Sequence, residues 1–155
     1  MPILTRLREF LELNKIPFSV HSHPQAYTAQ EIADLAHVTG RMLAKVVIVK
    51  AGDNLKMLVL PADRRVDLER VKGMLGRDVR LATEAEFRDA FPGCEVGAMP
   101  PFGNLFGIPI YVDRSLQQEE EIVFNAGTHT LTAKLAFEDF VRLTEPQIAE
   151  FTSPR

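Results

Sequence analysis

Apolar residues recur every three or four positions at Leu4, Leu7 and Leu11, flanked by Ile3 and Phe10. Arg6, Arg8, Glu9 and Glu12 fall mostly on the other side, so the pattern predicts an amphipathic helix over residues 2–14. The period shortens to two at residues 18–21, a short strand. Thr28 and Glu31 have the spacing of a capping box and predict a helix over 29–37, stopped by Gly40. Residues 44–50 form a β-branched run suited to a buried strand, and Gly52-Asp53-Asn54 turns it into a second strand at 55–60. Asp67 caps a helix over 68–75 that Gly76 ends, and a short strand follows at 78–81. A second capping box, Thr83 to Glu86, opens a helix carrying Phe87, Ala90 and Phe91 as far as Pro92-Gly93. Strands are predicted at 108–112, 121–124 and 128–134, with a polar connection at 113–120 and a turn at Asn125-Ala126-Gly127. A helix over 137–143 turns Phe137, Phe140 and Val141 inward, and beyond Thr144 only weak structure and a turn at 147–151 are expected.

Six or seven strands with four or five helices, hairpins mixed with helical crossovers, predict an α+β fold. The expected architecture is one mixed, strongly curved, barrel-like sheet with flanking helices. No repeat, linker or low-complexity tract divides the chain, so residues 1–155 are read as a single domain. With 46% hydrophobic and 25% charged residues of both signs interspersed, disorder is excluded. No apolar run is long enough for a membrane span and the start lacks the order of a secretion signal, so a cytoplasmic protein is expected. The single cysteine, Cys94, excludes an internal disulfide and a cysteine metal cluster, and Glu95 beside it disfavours a reactive thiolate. A net charge of -3 argues against broad wrapping of nucleic acid. Arg64, Arg65, Arg70, Lys72, Arg77 and Arg80 are interleaved with Asp63, Asp67, Glu69 and Asp78, which suits a solvated mixed face better than a phosphate patch.

Chemistry concentrates at three places. Residues 97–107 hold three glycines and two adjacent prolines, so they form a loop, yet Met99, Phe102, Leu105 and Phe106 make it apolar enough to lie against the protein body. Such a loop either presents amides to a polarised oxygen or is a plain crossover. Lys45 stands inside an apolar strand, where it must snorkel to water or face a polar cavity. Asn125, Thr128, His129 and Thr130 surround a glycine turn, either as turn chemistry or as a pocket wall. His21 and His23 share a strand face, but no third ligand has metal-site spacing.

Lys45 in its strand, the Gly97-Ala98-Met99-Pro100-Pro101-Phe102-Gly103 loop and Asn125-Ala126-Gly127-Thr128-His129-Thr130, in that order, resemble the YbaK/prolyl-tRNA-synthetase-associated editing domain family. The resemblance runs from Tyr27-Thr28 to the last helix. It implies a trans-editing aminoacyl-tRNA deacylase that hydrolyses the ester of a small amino acid on a mischarged tRNA, that of proline in the first instance. It implies Lys45, Gly97 and His129 as catalytic residues. Tyr27, Val46, Ala98, Met99, Pro100, Pro101, Phe102, Gly103, Asn125, Gly127 and Thr128 would bind substrate. Loop amides would stabilise the tetrahedral oxyanion, Lys45 would hold the terminal phosphate or the carbonyl oxygen, and the ribose hydroxyl of the substrate would activate water. No cofactor or metal is implied, and the partners would be the tRNA acceptor end and an aminoacyl-tRNA synthetase. Alanine is the first amino acid expected, ahead of cysteine, serine, threonine and 2-aminobutyrate. The alternative is a catalytically idle module that binds a tRNA end or a synthetase. Lys45 and the proline loop are expected to face one another across a narrow cleft.

Overall fold

The β-branched run and its neighbour form a hairpin, β2 (Ala44–Ala51) and β3 (Asn54–Pro61), in which Ala51 pairs with Asn54 around a two-residue turn. Gly52 takes φ +62° in that turn, a region that glycine enters without strain. The computed structural model describes residues 4–24 and 39–155, so the predicted helix over 29–37 and Tyr27 lie outside the described residues.

The remaining strands are β1 (Ser19–Ser22), β4 (Arg64–Val66), β5 (Arg80–Leu81), β6 (Ile110–Asp113), β7 (Glu121–Asn125), β8 (Leu131–Ala136), β9 (Gln147–Ala149) and β10 (Thr152–Pro154). They make a five-stranded sheet in the order β5-β2-β3-β6-β9, a three-stranded sheet β1-β8-β7 and a two-stranded pair β10-β4. The pairings β3-β6 and β6-β9 are parallel and the others antiparallel, so the mixed α+β expectation holds. The barrel does not: the described strands form separate open sheets. They number ten rather than six or seven. The extra strands are three-residue pieces, including two in the tail that was expected to be weakly structured. There β9 lies beside β6 and β10 pairs with β4.

Among the described residues four α-helices pack around the sheets: α1 (Thr5–Leu13), α2 (Leu68–Leu75), α3 (Glu84–Phe87) and α4 (Phe137–Thr144). Asp67 caps α2 by accepting from the amides of Glu69 and Arg70, and Thr83 with Glu86 closes the capping box of α3. The larger core gathers Leu7, Leu11, Met99, Phe102, Phe124 and Phe140. Phe102 is its hub, with ring centroids 5.5 Å from both Phe124 and Phe140 and 6.3 Å from Phe10. A smaller core of Val49, Leu58, Leu60, Val71, Tyr111 and Phe151 covers the opposite face of the five-stranded sheet.

Alternation along β2 decides where its lysine points. Ala44, Val46 and Ile48 join the larger core, while Val47, Val49 and Ala51 join the smaller one. Lys45 shares the parity of the second set and pairs with Leu60, a member of the smaller core, so it projects from that face. The two larger sheets meet at one parallel bridge, Leu43 with Val123, reinforced by a 2.9 Å bond from the Val123 amide to the Met42 carbonyl. Across this seam the face of Lys45 continues into the face of the three-stranded sheet that carries Val123, Asn125 and Thr132.

Candidate active site

Lys45 and Asn125 each stand two residues beyond the Leu43-Val123 bridge on parallel strands, so they lie level with one another on the same face. Asn125 pairs with Thr132 on β8, and Thr132 pairs with His21 on β1; His23 follows on the same parity, its amide bonded to the Thr130 carbonyl at 2.9 Å. The face opposite the larger core is therefore polar here: Lys45, Asn125, Thr132 and His23 stand where the other face has Val46, Phe124, Ala133 and Val20.

Among the described residues three atoms of this group are buried without a hydrogen-bond partner: Thr132 Oγ1, Asn125 Oδ1 and His23 Nε2. Thr132 is 1% exposed and His23 9%. The other ring nitrogen of His23, Nδ1, lies 2.7 Å from the Pro24 carbonyl, which can only accept. Nδ1 therefore carries the proton, and in the neutral ring Nε2 is a bare acceptor. Lys45 is half-buried, and burial first and the Arg155 charge second hold its ammonium below the ordinary lysine range. Among the described residues it has no ion-pair or hydrogen-bond partner. A charge and three polar atoms removed from water with nothing to bond are costly, and such groups mark places built for a ligand.

The proline loop adjoins this group through its backbone. The Asn125 amide group reaches the Gly97 carbonyl at 3.5 Å, and the Gly127 amide donates to the Ala98 carbonyl at 3.0 Å. Gly97 has φ +87°, and a Cβ placed there would stand 3.4 Å from His129 Cε1, so a side chain would be both strained and crowded. His129 is buried behind the loop, its Nε2 donating to the Val96 carbonyl at 2.8 Å and its backbone amide to the Glu95 carboxylate at 2.7 Å. Thr128 and Thr130 bond to each other through their hydroxyls at 3.2 Å.

Lys45 and the proline loop are expected to face one another across a narrow cleft; strand parity puts the loop's buried side chains on the face away from Lys45, and it is the Gly97 backbone that adjoins the lysine's face. Ala98, Met99 and Phe102 are buried, and Met99 and Phe102 belong to the larger core together with Val46, on the face away from Lys45. Pro100, Pro101 and Gly103 are buried as well. Gly103 packs so closely that a Cβ there would lie 2.5 Å from the Ile108 carbonyl oxygen. The amides expected at an oxyanion are partly committed: that of Ala98 to the Glu95 carbonyl, and that of Gly97 to Met99 Sδ. Thr132 was not singled out in the sequence, and His23 was weighed there only with His21 as a metal pair, although Thr130, Thr132 and Lys134 alternate with Leu131, Ala133 and Leu135 and so betray a polar strand face.

Other features lie apart. A cleft of about 680 Å³ between residues 117–121 and 136–138 is rimmed by Glu119, Glu120, Glu121 and Glu138, which repels a polyanion. Cys94 is held inert by burial, which pushes its thiol up to about 11. Arg80 is clamped on Glu86 at 2.6 Å and 2.7 Å with Lys50 alongside at 3.2 Å, the solvated mixed face expected of the arginine-rich stretch. No helix among the described residues is long and apolar enough to cross a membrane.

Residues 23–143 match the model of the aminoacyl-tRNA editing domain. Over 152 residues the chain is 28% identical to the multifunctional Ser/Thr-tRNA deacylase ProXp-y of Escherichia coli, covering 94% of this chain and 90% of that protein. It is 30% identical over 123 residues to a proline--tRNA ligase of Heliobacterium modesticaldum, covering 77% of this chain and 21% of the ligase. A crystal structure of a candidate trans-editing enzyme for prolyl tRNA synthetase superposes with a TM-score of 0.85 over 99% of this chain and 98% of that one, at 23% identity, a likeness of fold. With the family model spanning most of its length and the polar face built from within that span, the chain belongs to the aminoacyl-tRNA editing domain family.

Proposed function

We propose that this protein is an aminoacyl-tRNA hydrolase acting in trans, which frees tRNA of proline from a small hydroxylated amino acid. The observation that carries the reading is the Lys45 ammonium on one sheet face with the buried atoms Thr132 Oγ1, Asn125 Oδ1 and His23 Nε2, none of the four paired or bonded among the described residues. In the reaction a water oxygen adds to the ester carbonyl carbon, the bond to the ribose oxygen breaks, and the water's proton leaves with that oxygen. Lys45 stabilises the negative charge of the terminal phosphate or of the carbonyl oxygen. Asn125, Thr132 and His23 take the amino group and side-chain hydroxyl of the substrate. Gly97, Gly127, Thr128 and His129 frame the loop, and Val46, Ala98, Met99, Pro100, Pro101, Phe102 and Gly103 hold it rigid from the core side.

The polar atoms shift the choice of amino acid from alanine to serine or threonine. An alanine methyl leaves them unpaired, at about 1–3 kcal/mol for each buried group, whereas a hydroxyl satisfies them. The ligase and deacylase relatives support a tRNA substrate and an association with prolyl-tRNA synthetase.

The test is a deacylation panel varying both amino acid and tRNA. Release of serine or threonine from mischarged proline tRNA is expected, lost in Lys45→Ala with the fold intact. Full activity in that variant removes Lys45 from the mechanism. Tight binding without turnover across the panel identifies an idle tRNA-binding module instead.

A further inference from the structure

The strand β10 runs toward the β3–β4 connection, which is tied to the start of β2 where Lys45 stands. β10 runs antiparallel to β4 with Pro154 opposite Arg64, so the next residue, Arg155, comes level with Asp63 in the connection between β3 and β4. That connection is tied to the start of β2, since the Ala62 amide donates to the Leu43 carbonyl at 2.8 Å and Pro61 pairs with Ala44. Phe151, just before β10, is fully buried in the smaller core, which places this segment on the face from which Lys45 projects. The Arg155 guanidinium is near enough to depress the lysine's proton affinity. Among the described residues no carboxylate lies within 4.0 Å of either cation, although nine ion pairs form elsewhere.

An exposed guanidinium near a half-buried ammonium, with no carboxylate paired to either among the described residues, raises the energy of the empty site, and an arriving anion relieves it. Asp63 is exposed and forms no ion pair with either. A guanidinium beside an ammonium suits a phosphodiester, whose two free oxygens can be shared between a planar fork and a point charge.

We infer that Arg155 is a second cation of the Lys45 site, delivered by β10, and that the two residues together grip one phosphodiester next to the aminoacylated end of the RNA. This rests on the deacylase reading given above. Arg155 touches the phosphate rather than the reacting atoms, so it is a positioning residue.

The test compares the full chain with Arg155→Gln and Arg155→Lys on seryl- or threonyl-tRNA of proline at several salt concentrations, and on 3'-aminoacyl-adenosine, which has no phosphodiester. Arg155→Gln is expected to raise KM on tRNA by about tenfold or more, with kcat within about twofold. The dependence of log KM on log salt should flatten by about 0.7, one phosphate contact on a single strand. Arg155→Lys should recover most of the loss, and aminoacyl-adenosine should be hydrolysed equally by all three. Unchanged KM and salt slope in Arg155→Gln overturn the inference, as does an equal loss on the adenosine substrate. If the parent protein hydrolyses neither substrate, the deacylase reading falls. The affinity of uncharged tRNA over the same salts then decides the role of Arg155 by itself.

Discussion

Thr132→Val separates a site residue from a structural one by the sign of two effects. The side chain is 1% exposed on the face of β8 opposite the larger core, and among the described residues its hydroxyl bonds nothing. Valine keeps the volume and the β-branch while replacing the hydroxyl by a methyl group. Burying an unbonded hydroxyl costs about 1–3 kcal/mol, so the replacement is expected to stabilise the free protein by about 1 kcal/mol. For a chain of this size that raises Tm by about 2–4 °C. In the complex the same hydroxyl meets a polar group of the substrate, and its loss should lower kcat/KM for seryl- or threonyl-tRNA about tenfold or more. Alanyl-tRNA, with no hydroxyl to offer, should be affected far less. Differential scanning fluorimetry and single-turnover deacylation on the two substrates measure both arms. A lower Tm with unchanged kcat/KM would mean that Thr132 is bonded in the free protein and takes no part in recognition.

Three further outcomes follow from the same geometry. In the proposed mechanism Lys45 acts in its charged form, which is complete below its folded pKa and lost as pH rises through it. With that pKa held below the ordinary lysine value, the alkaline fall of kcat/KM should come at lower pH than a solvated lysine would give, and a limb at the unperturbed position refutes a half-buried ammonium. Gly103→Ala drives a Cβ to 2.5 Å from the Ile108 oxygen and 3.1 Å from Ile110 Cγ1; a loss of about 1–3 kcal/mol in urea unfolding is expected, and parental stability would contradict the packing. Cys94, with its thiol pushed up to about 11, should be alkylated slowly at pH 8 and approach the rate of a free thiol only on unfolding, whereas rapid labelling of the native protein would show it exposed.

Local signals in the sequence were translated faithfully. The Asp67 cap, the Thr83 to Glu86 capping box and the β2-β3 turn each depend on residues within four positions of one another, and each formed as expected. The tail strands were illegible because their partners are distant: Pro154 finds Arg64, and Gln147 finds Tyr111. Neither segment shows a pattern of its own. At the site, the sequence names Lys45, Gly97, Asn125 and His129 as candidates, but the sheet face the lysine takes follows only from a parity count along a strand whose neighbours are known. Counting by twos from Val46 places the lysine opposite Met99 and Phe102. The same count through Thr130, Thr132 and Lys134 would have exposed the second wall of the pocket.

The bridge between Leu43 and Val123, the one isolated bridge among the described residues, gives the polar face a pivot. Lys45 belongs to one sheet and Asn125 with Thr132 to the other, so the gap between charge and hydroxyl is governed by the angle at which the sheets abut. Leu43 and Val123 are buried at 2% and 3% exposure. Swapping their bulk shifts one sheet against the other while Lys45, Asn125 and Thr132 keep their identities, a route by which the spacing of the polar face is retuned through its joinery alone.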